Sequence, residues 1–170
     1  MNLKNMNFPR QLEMAGSAEK IREVLAVRQT RLGAEGKMEV PVLDVSKTLV
    51  DAIKRARMQR RVRFGFDDIF DKLAAEKKGI DEVLQKTKSQ QQDRISRLLL
   101  FSNDGAERLY RHIEQTLTEH HLRILGCLLD SDSKKLGELI TGRSAGIKVI
   151  LVEHKDAVSD VLRTLLEDSK

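Results

Sequence analysis

Ile147-Lys148-Val149-Ile150-Leu151-Val152 is the stretch on which the fold turns. It is rich in β-branched residues and preceded by Gly146, and so reads as a buried strand. Two other apolar runs lie upstream, Ile95 to Phe101 and Leu122 to Leu129. Leu109, Ile113 and Leu117, four apart, mark an amphipathic helix between those two runs. DSDSKKLGELITG, from Asp130 to Gly142, supplies a short helix before the third run. Asp156 opens a closing helix whose inner side is Val158, Val161, Leu162, Leu165 and Leu166. This alternation predicts a small β-α-β-α-β-α unit over 95–170. Each link holds a helix of roughly ten residues or more, so the strands are expected to be parallel. The first two runs are leucine-rich and also suit buried helix, which leaves an all-α fold as the alternative.

Upstream of that unit, residues 85–94 read QKTKSQQQDR and contain no apolar side chain. A helix there would be solvated all round, so the stretch reads as a polar bridge or linker and marks a candidate boundary. Gln90 to Gln92 is its low-complexity core. Residues 17–84 form a basic, mainly helical part, and 1–16, aperiodic and containing Pro9, read as a loose N-terminal arm. A single continuous domain over 17–170 is compatible with the same pattern.

Within 17–84, Ser17 can cap a helix running to about Leu32. Met38, Val40 and Val42 alternate with Glu39 and Pro41, which predicts an edge strand because Pro cannot donate to a central ladder. A second helix starts at Asp44 or Ser46 and buries Val45, Leu49, Ala52, Ile53 and Ala56. Val62, Phe64 and Phe66 alternate with Arg61, Arg63 and Gly65, a strand pattern with a basic outer side. Asp67 can cap a third helix ending near Gly79, and Ile80 begins another.

The 170 residues are 40% hydrophobic and 34% charged, with ten Gly and two Pro, which excludes collagen-like and wholly disordered chains. No apolar run approaches the ~18 residues a membrane helix needs. The amino-terminal residues lack the apolar core of a secretory signal. Cys127 is the one cysteine, so a disulfide framework and a cysteine-rich zinc site are both excluded. The expected compartment is the cytoplasm.

Charge is unevenly distributed. Residues 1–93 carry 19 basic and 14 acidic side chains, whereas 94–170 carry 12 of each. Lys54, Arg55, Arg57, Arg60, Arg61 and Arg63 lie within ten positions that contain no acid. Such a cluster can neutralise several phosphates, and the planar fork of Arg suits bidentate contact. It is the candidate nucleic-acid site, with backbone contact favoured because aromatic platforms are scarce: five Phe, one Tyr and no Trp. The bland alternative pairs these arginines with Asp67, Asp68 and Asp71 on a solvated surface. Phe64 and Phe66 read as core, and a helix-turn-helix over Asp71 to Lys88 is a weaker alternative to a plain helical hairpin.

A second chemistry arises if the strands are parallel. Asp104, Asp130, Asp132 and Asp156 would then follow strand carboxyl ends, where ligands bind in open sheets. Converging carboxylates there could hold Mg²⁺ for phosphoester hydrolysis, although Asp after a strand is also an ordinary helix cap. His112, His120, His121 and His154 show no metal-ligand spacing, and Cys127 within ILGCLL reads as buried and inert. No phosphate-cradling or nucleophile motif is present. The expectation is therefore a non-enzymatic protein that binds RNA or DNA backbone. A metal-dependent phosphoesterase and a protein-binding adaptor are the alternatives, and self-association is expected because a three-strand sheet leaves exposed edges.

Overall fold

The computed structural model describes residues 2–88 and 93–168. The fold is α/β, built on one six-stranded mixed sheet. A 3₁₀ turn at Leu3–Asn5 leads into α1 (Arg10–Met14) and α2 (Ala18–Val27). Then come β1 (Gln29–Arg31), β2 (Glu39–Leu43), α3 (Lys47–Met58), β3 (Val62–Phe64) and α4 (Phe66–Thr87). The second half runs β4 (Arg97–Phe101), α5 (Glu107–Glu119), β5 (Ile124–Leu129), α6 (Ser133–Thr141), β6 (Val149–Val152) and α7 (Lys155–Asp168). The strand order is β1-β2-β5-β4-β6-β3. Among the described residues, no helix is long and apolar enough to cross a membrane.

Both leucine-rich runs are strands, which removes the all-α alternative. Side chains alternate across the sheet, as period-two geometry requires. Leu98, Leu100, Leu125, Cys127, Ile150 and Val152 face one core with α2, α3, α6 and α7. Leu99, Phe101, Ile124, Val149 and Leu151 face a second core beneath α4 and α5. A sheet buried on both faces reads as continuous apolar sequence, so the runs gave no alternation that could separate strand from helix.

The strands are not all parallel. β4 and β5 are, joined through α5, but β6 runs antiparallel to β4, with Leu98 opposite Val152 and Phe101 opposite Val149. The chain leaves β5, makes the nine-residue helix α6, and then returns to the edge it left. Ile147 N–H donates to Ser133 O at 2.9 Å and Ser102 N–H to Lys148 O at 2.9 Å. Gly137 permits the return. A Cβ at that position would lie 1.9 Å from Ala145 O, so the segment after α6 packs directly on its backbone.

Four other expectations need correction. β2 is an interior strand: β1 covers it on one side and β5 on the other. Pro41 is accommodated because the ladder to β5 begins only at Val42. β1 itself lies where helix α2 was expected to continue. α4 passes unbroken through Gly79, so neither the expected helical hairpin nor a helix-turn-helix forms over Asp71 to Lys88. The supposed loose arm at 1–16 buries Leu3, Met6, Phe8 and Leu12, and Ile95 N–H donates to Asn7 O at 2.8 Å. Of the bridge at 85–94, residues 85–87 end α4, and Gln90 to Gln92 lie outside the described residues.

Candidate functional site

α3 carries the first part of the basic stretch because Leu49, Ala52, Ile53 and Ala56 bury one side of it, leaving Lys54 and Arg57 on the solvent side. Ser46 caps its start, accepting from Leu49 N–H at 3.1 Å. Its end is a Schellman closure. Arg60 N–H donates to Arg57 O at 3.0 Å and Arg61 N–H to Ala56 O at 2.9 Å. Arg60 occupies the left-handed position of that motif, with φ of 60°. Glycine is the residue usually found there, because a Cβ is disfavoured in left-handed backbone.

The chain then enters β3, an edge strand that pairs with β6. Gly65, with φ of 97°, makes the turn into α4, whose first turn holds Asp67 and Asp68. Gly65, not Asp67, is the residue that precedes the helix.

The six candidate cations divide into two groups. Arg55 forms a fork on Asp160 of α7, with Nε at 3.1 Å from Oδ2 and Nη2 at 3.2 Å from Oδ1. That hydrogen bond, ahead of opposing burial, raises the pKa of the guanidinium. Arg63 binds Asp68 at 2.8 Å and also Glu153, and Asp68 is the main cause of its raised pKa. Lys54, Arg57, Arg60 and Arg61 have no ion pair among the described residues, and the first three are exposed. The Arg57 guanidinium lies 5.8 Å from the Phe64 ring centroid, a cation–π contact that orients it without neutralising it. Asp51, on the same side of α3, is held by Lys47 at 2.8 Å, and that contact lowers its pKa. Of the acids expected to quench the stretch, Asp68 is the one that reaches it.

The acids after the strands are engaged in folding contacts. Asp104 accepts from Ser133 N–H at 3.1 Å and Ser133 Oγ at 2.8 Å. Burial works to raise its pKa, but the hydrogen bonds from Ser133 prevail and lower it. Asp132 caps α6, accepting from Lys135 N–H at 2.8 Å. Asp130 pairs with Arg28 at 3.0 Å and accepts from Asn103 at 3.2 Å, and the Arg28 contact chiefly holds its pKa down. Asp156 lies at the opposite edge, in the first turn of α7, because β6 runs antiparallel. Among the described residues no cluster of three or more His, Cys, Asp or Glu is arranged to hold a metal ion.

The histidines are scattered. His120 is buried, and burial lowers its pKa. His154 Nδ1 accepts from Asp156 N–H at 3.1 Å. His121 contacts Thr118 O at 3.2 Å. Cys127 is fully buried, which pushes its thiol pKa far up and leaves it inert.

Two features had no sequence signal that could be read alone. Phe66, at 37% exposure, packs edge-on against Phe70 and His112, whose rings stack at 4.1 Å. The trio unites α4 and α5, and only the pairing of the two helices brings it together. Phe64 is partly buried against the core, as expected, whereas Phe66, also expected there, opens α4 and is exposed. The other feature is a basic cleft beside α4. Its floor comes from Arg97 and Arg123, each at the start of a different strand region.

No family model matches this chain, and no curated protein matches it. Among solved structures it is similar to a protein with unknown function from Bacillus halodurans, at 12% identity and a TM-score of 0.44. That match covers 72% of this chain and 99% of the other. It is also similar to a 15.5 kD RNA-binding protein of Giardia lamblia, at 11% identity and a TM-score of 0.47, covering 71% and 83%.

Proposed function

We propose that this chain is a non-enzymatic cytoplasmic protein that binds the sugar–phosphate backbone of RNA or DNA. The contact surface is the corner where α3 passes into β3. Lys54, Arg57, Arg60 and Arg61 meet the phosphates, while Arg55 and Arg63 are held to the body by their carboxylates and fix the corner in place. The observation that carries the reading is Arg60. A cation stands where the backbone favours glycine, exposed and without an acidic partner among the described residues, and left-handed geometry costs an ordinary residue roughly 1–2 kcal/mol. Strain held at an exposed arginine is supported by a use for its side chain.

The acidic side of the molecule offers no comparable support for hydrolysis, since Asp104, Asp130 and Asp132 serve as caps and ion-pair partners. Affinity for mixed-sequence oligonucleotides, measured as salt rises, tests the proposal. A steep slope is expected, with little dependence on sequence. The triple variant R57A/R60A/R61A is expected to reduce that slope by about 2–3 units, since each phosphate contact contributes ~0.7–0.9. Absence of binding at low salt, or an unchanged slope in the variant, overturns it.

A further inference from the structure

We infer that the cleft beside α4 seats an unpaired stretch of single-stranded nucleic acid that continues from the α3–β3 corner. The inference rests on the proposed backbone-binding function and extends it to a second, separate site.

The cleft has a volume of about 1040 Å³ and lies where the last turns of α4 project beyond the amino ends of β4 and β5. One wall is apolar: Ile80, Val83 and Leu84 sit three and four apart on α4, and Val83 is 57% exposed. The remaining lining includes Arg10, Arg94, Arg97, Arg123 and Lys155, against a single acid, Glu76. Glu76 is already occupied on both oxygens, Oε1 by Arg97 at 3.2 Å and Oε2 by Arg123 at 3.3 Å. Both guanidinium groups keep a partly exposed edge, 20% for the Arg97 side chain and 12% for Arg123, on which an anion in the cleft can accept hydrogen bonds.

Topology links this cleft to the corner. Val62 of β3 stands opposite Val152, Val152 opposite Leu98, and Leu98 opposite Leu125. Arg61, Arg97 and Arg123 therefore emerge at the same end of the sheet. From β3 to β5 is three inter-strand steps, roughly 14 Å, a distance that a short run of nucleotides spans. Of the acids at this end, Glu153 lies between Arg63 and Lys72, and Asp156 accepts from Gln11 at 3.2 Å.

The shape selects the class of ligand. A cleft of about 1040 Å³ with one apolar wall suits an unpaired nucleotide, which can lay its base along Ile80 and Leu84 and its phosphate against Arg97 and Arg123. Guanidinium planes also stack on bases, which offsets the lack of aromatic residues in the cleft.

The test compares a mixed-sequence RNA duplex with the same duplex carrying a six-nucleotide single-stranded tail. Wild-type protein is expected to bind the tailed form about tenfold more tightly, the equivalent of one decade in Kd. Val83→Glu places a carboxylate on the exposed wall, where little packing is disturbed, and is expected to abolish that gain while leaving the blunt duplex unaffected. K155A, at the cleft mouth, is expected to reduce the gain without touching the fold. R57A/R60A/R61A is expected to weaken both forms alike. A tail that adds nothing in wild type overturns the cleft assignment and leaves the corner standing. If neither form binds, the backbone-binding function itself fails. An acidic peptide that occupies the cleft more tightly than the tail, and is displaced by Val83→Glu, also overturns the assignment.

Discussion

At Arg60, stability and the proposed backbone contact pull in opposite directions. Replacing it with Gly relieves left-handed strain and is expected to stabilise the fold by about 1 kcal/mol, raising Tm by roughly 2–4 °C. The same change removes an exposed cation and should weaken oligonucleotide binding. A thermal melt and a binding titration on R60G check both directions. His120 makes a second prediction at this scale. It is buried, and its pKa falls below 6.5 chiefly through burial, with Arg123 and Lys77 adding to the shift and Glu119 and Glu76 opposing it. A neutral buried imidazole is stabilising only while the unfolded chain is also neutral there. As pH falls below 6.5 the unfolded state takes up a proton first, so stability declines until the folded pKa is passed. Chemical denaturation from pH 7 to pH 5 should show this decline, and H120Q should flatten it. The sequence showed that His120 had no metal-ligand spacing, but its burial depends on the turn after α5 and was not visible there.

Among the elements, two helical glycines have opposite roles. Gly79 lies inside α4 with open space where a Cβ would stand. Gly79→Ala is expected to stabilise by about 0.5–1 kcal/mol through helix propensity. Gly137 lies inside α6 with Ala145 O directly against it. Gly137→Ala is expected to destabilise by about 1–3 kcal/mol, because the returning segment must be pushed away. Urea denaturation of the two variants side by side checks the signs. This contrast also shows what the sequence could carry. The three apolar runs of the second half are strands, and α3, α5, α6 and α7 follow their apolar spacing, because burial imposes period and composition locally. Antiparallel β6 was hidden because the direction of a strand depends on where the chain returns, which is set by long-range contacts such as that of Gly137 with Ala145. β1 was hidden for a different reason: three polar residues, Gln29-Thr30-Arg31, carry no strand pattern and pair only because β2 lies beside them. At the site, the cluster from Lys54 to Arg63 was legible as charge, but the attachment of Arg55 to Asp160 and of Arg63 to Glu153 spans too much sequence to be read from it.

On the scale of the whole molecule, the segment 2–16 is anchored in the core through Leu3, Met6, Phe8 and Leu12. Phe8 and Leu12 are 0% exposed, Arg94 donates to Phe8 O at 2.6 Å, and Arg22 lies 5.0 Å from the Phe8 ring. L12A is expected to cost about 2–5 kcal/mol, as for other fully buried leucines, where a loose arm would give nearly nothing. Equilibrium unfolding of that variant distinguishes the two.

The sheet ends at β1 on one side and β3 on the other, each three residues long and each carrying an arginine, Arg31 and Arg63. Brief, cationic borders are how natural sheets avoid zipping onto their neighbours. A second molecule adding antiparallel at β3 meets an edge only three residues long whose Arg63 is tied to Asp68 and Glu153, so lengthening the sheet there gains little. The arginines at the β3 border thereby double as guards against fibrillar growth, and stripping them of charge would be felt first as turbidity in concentrated solution.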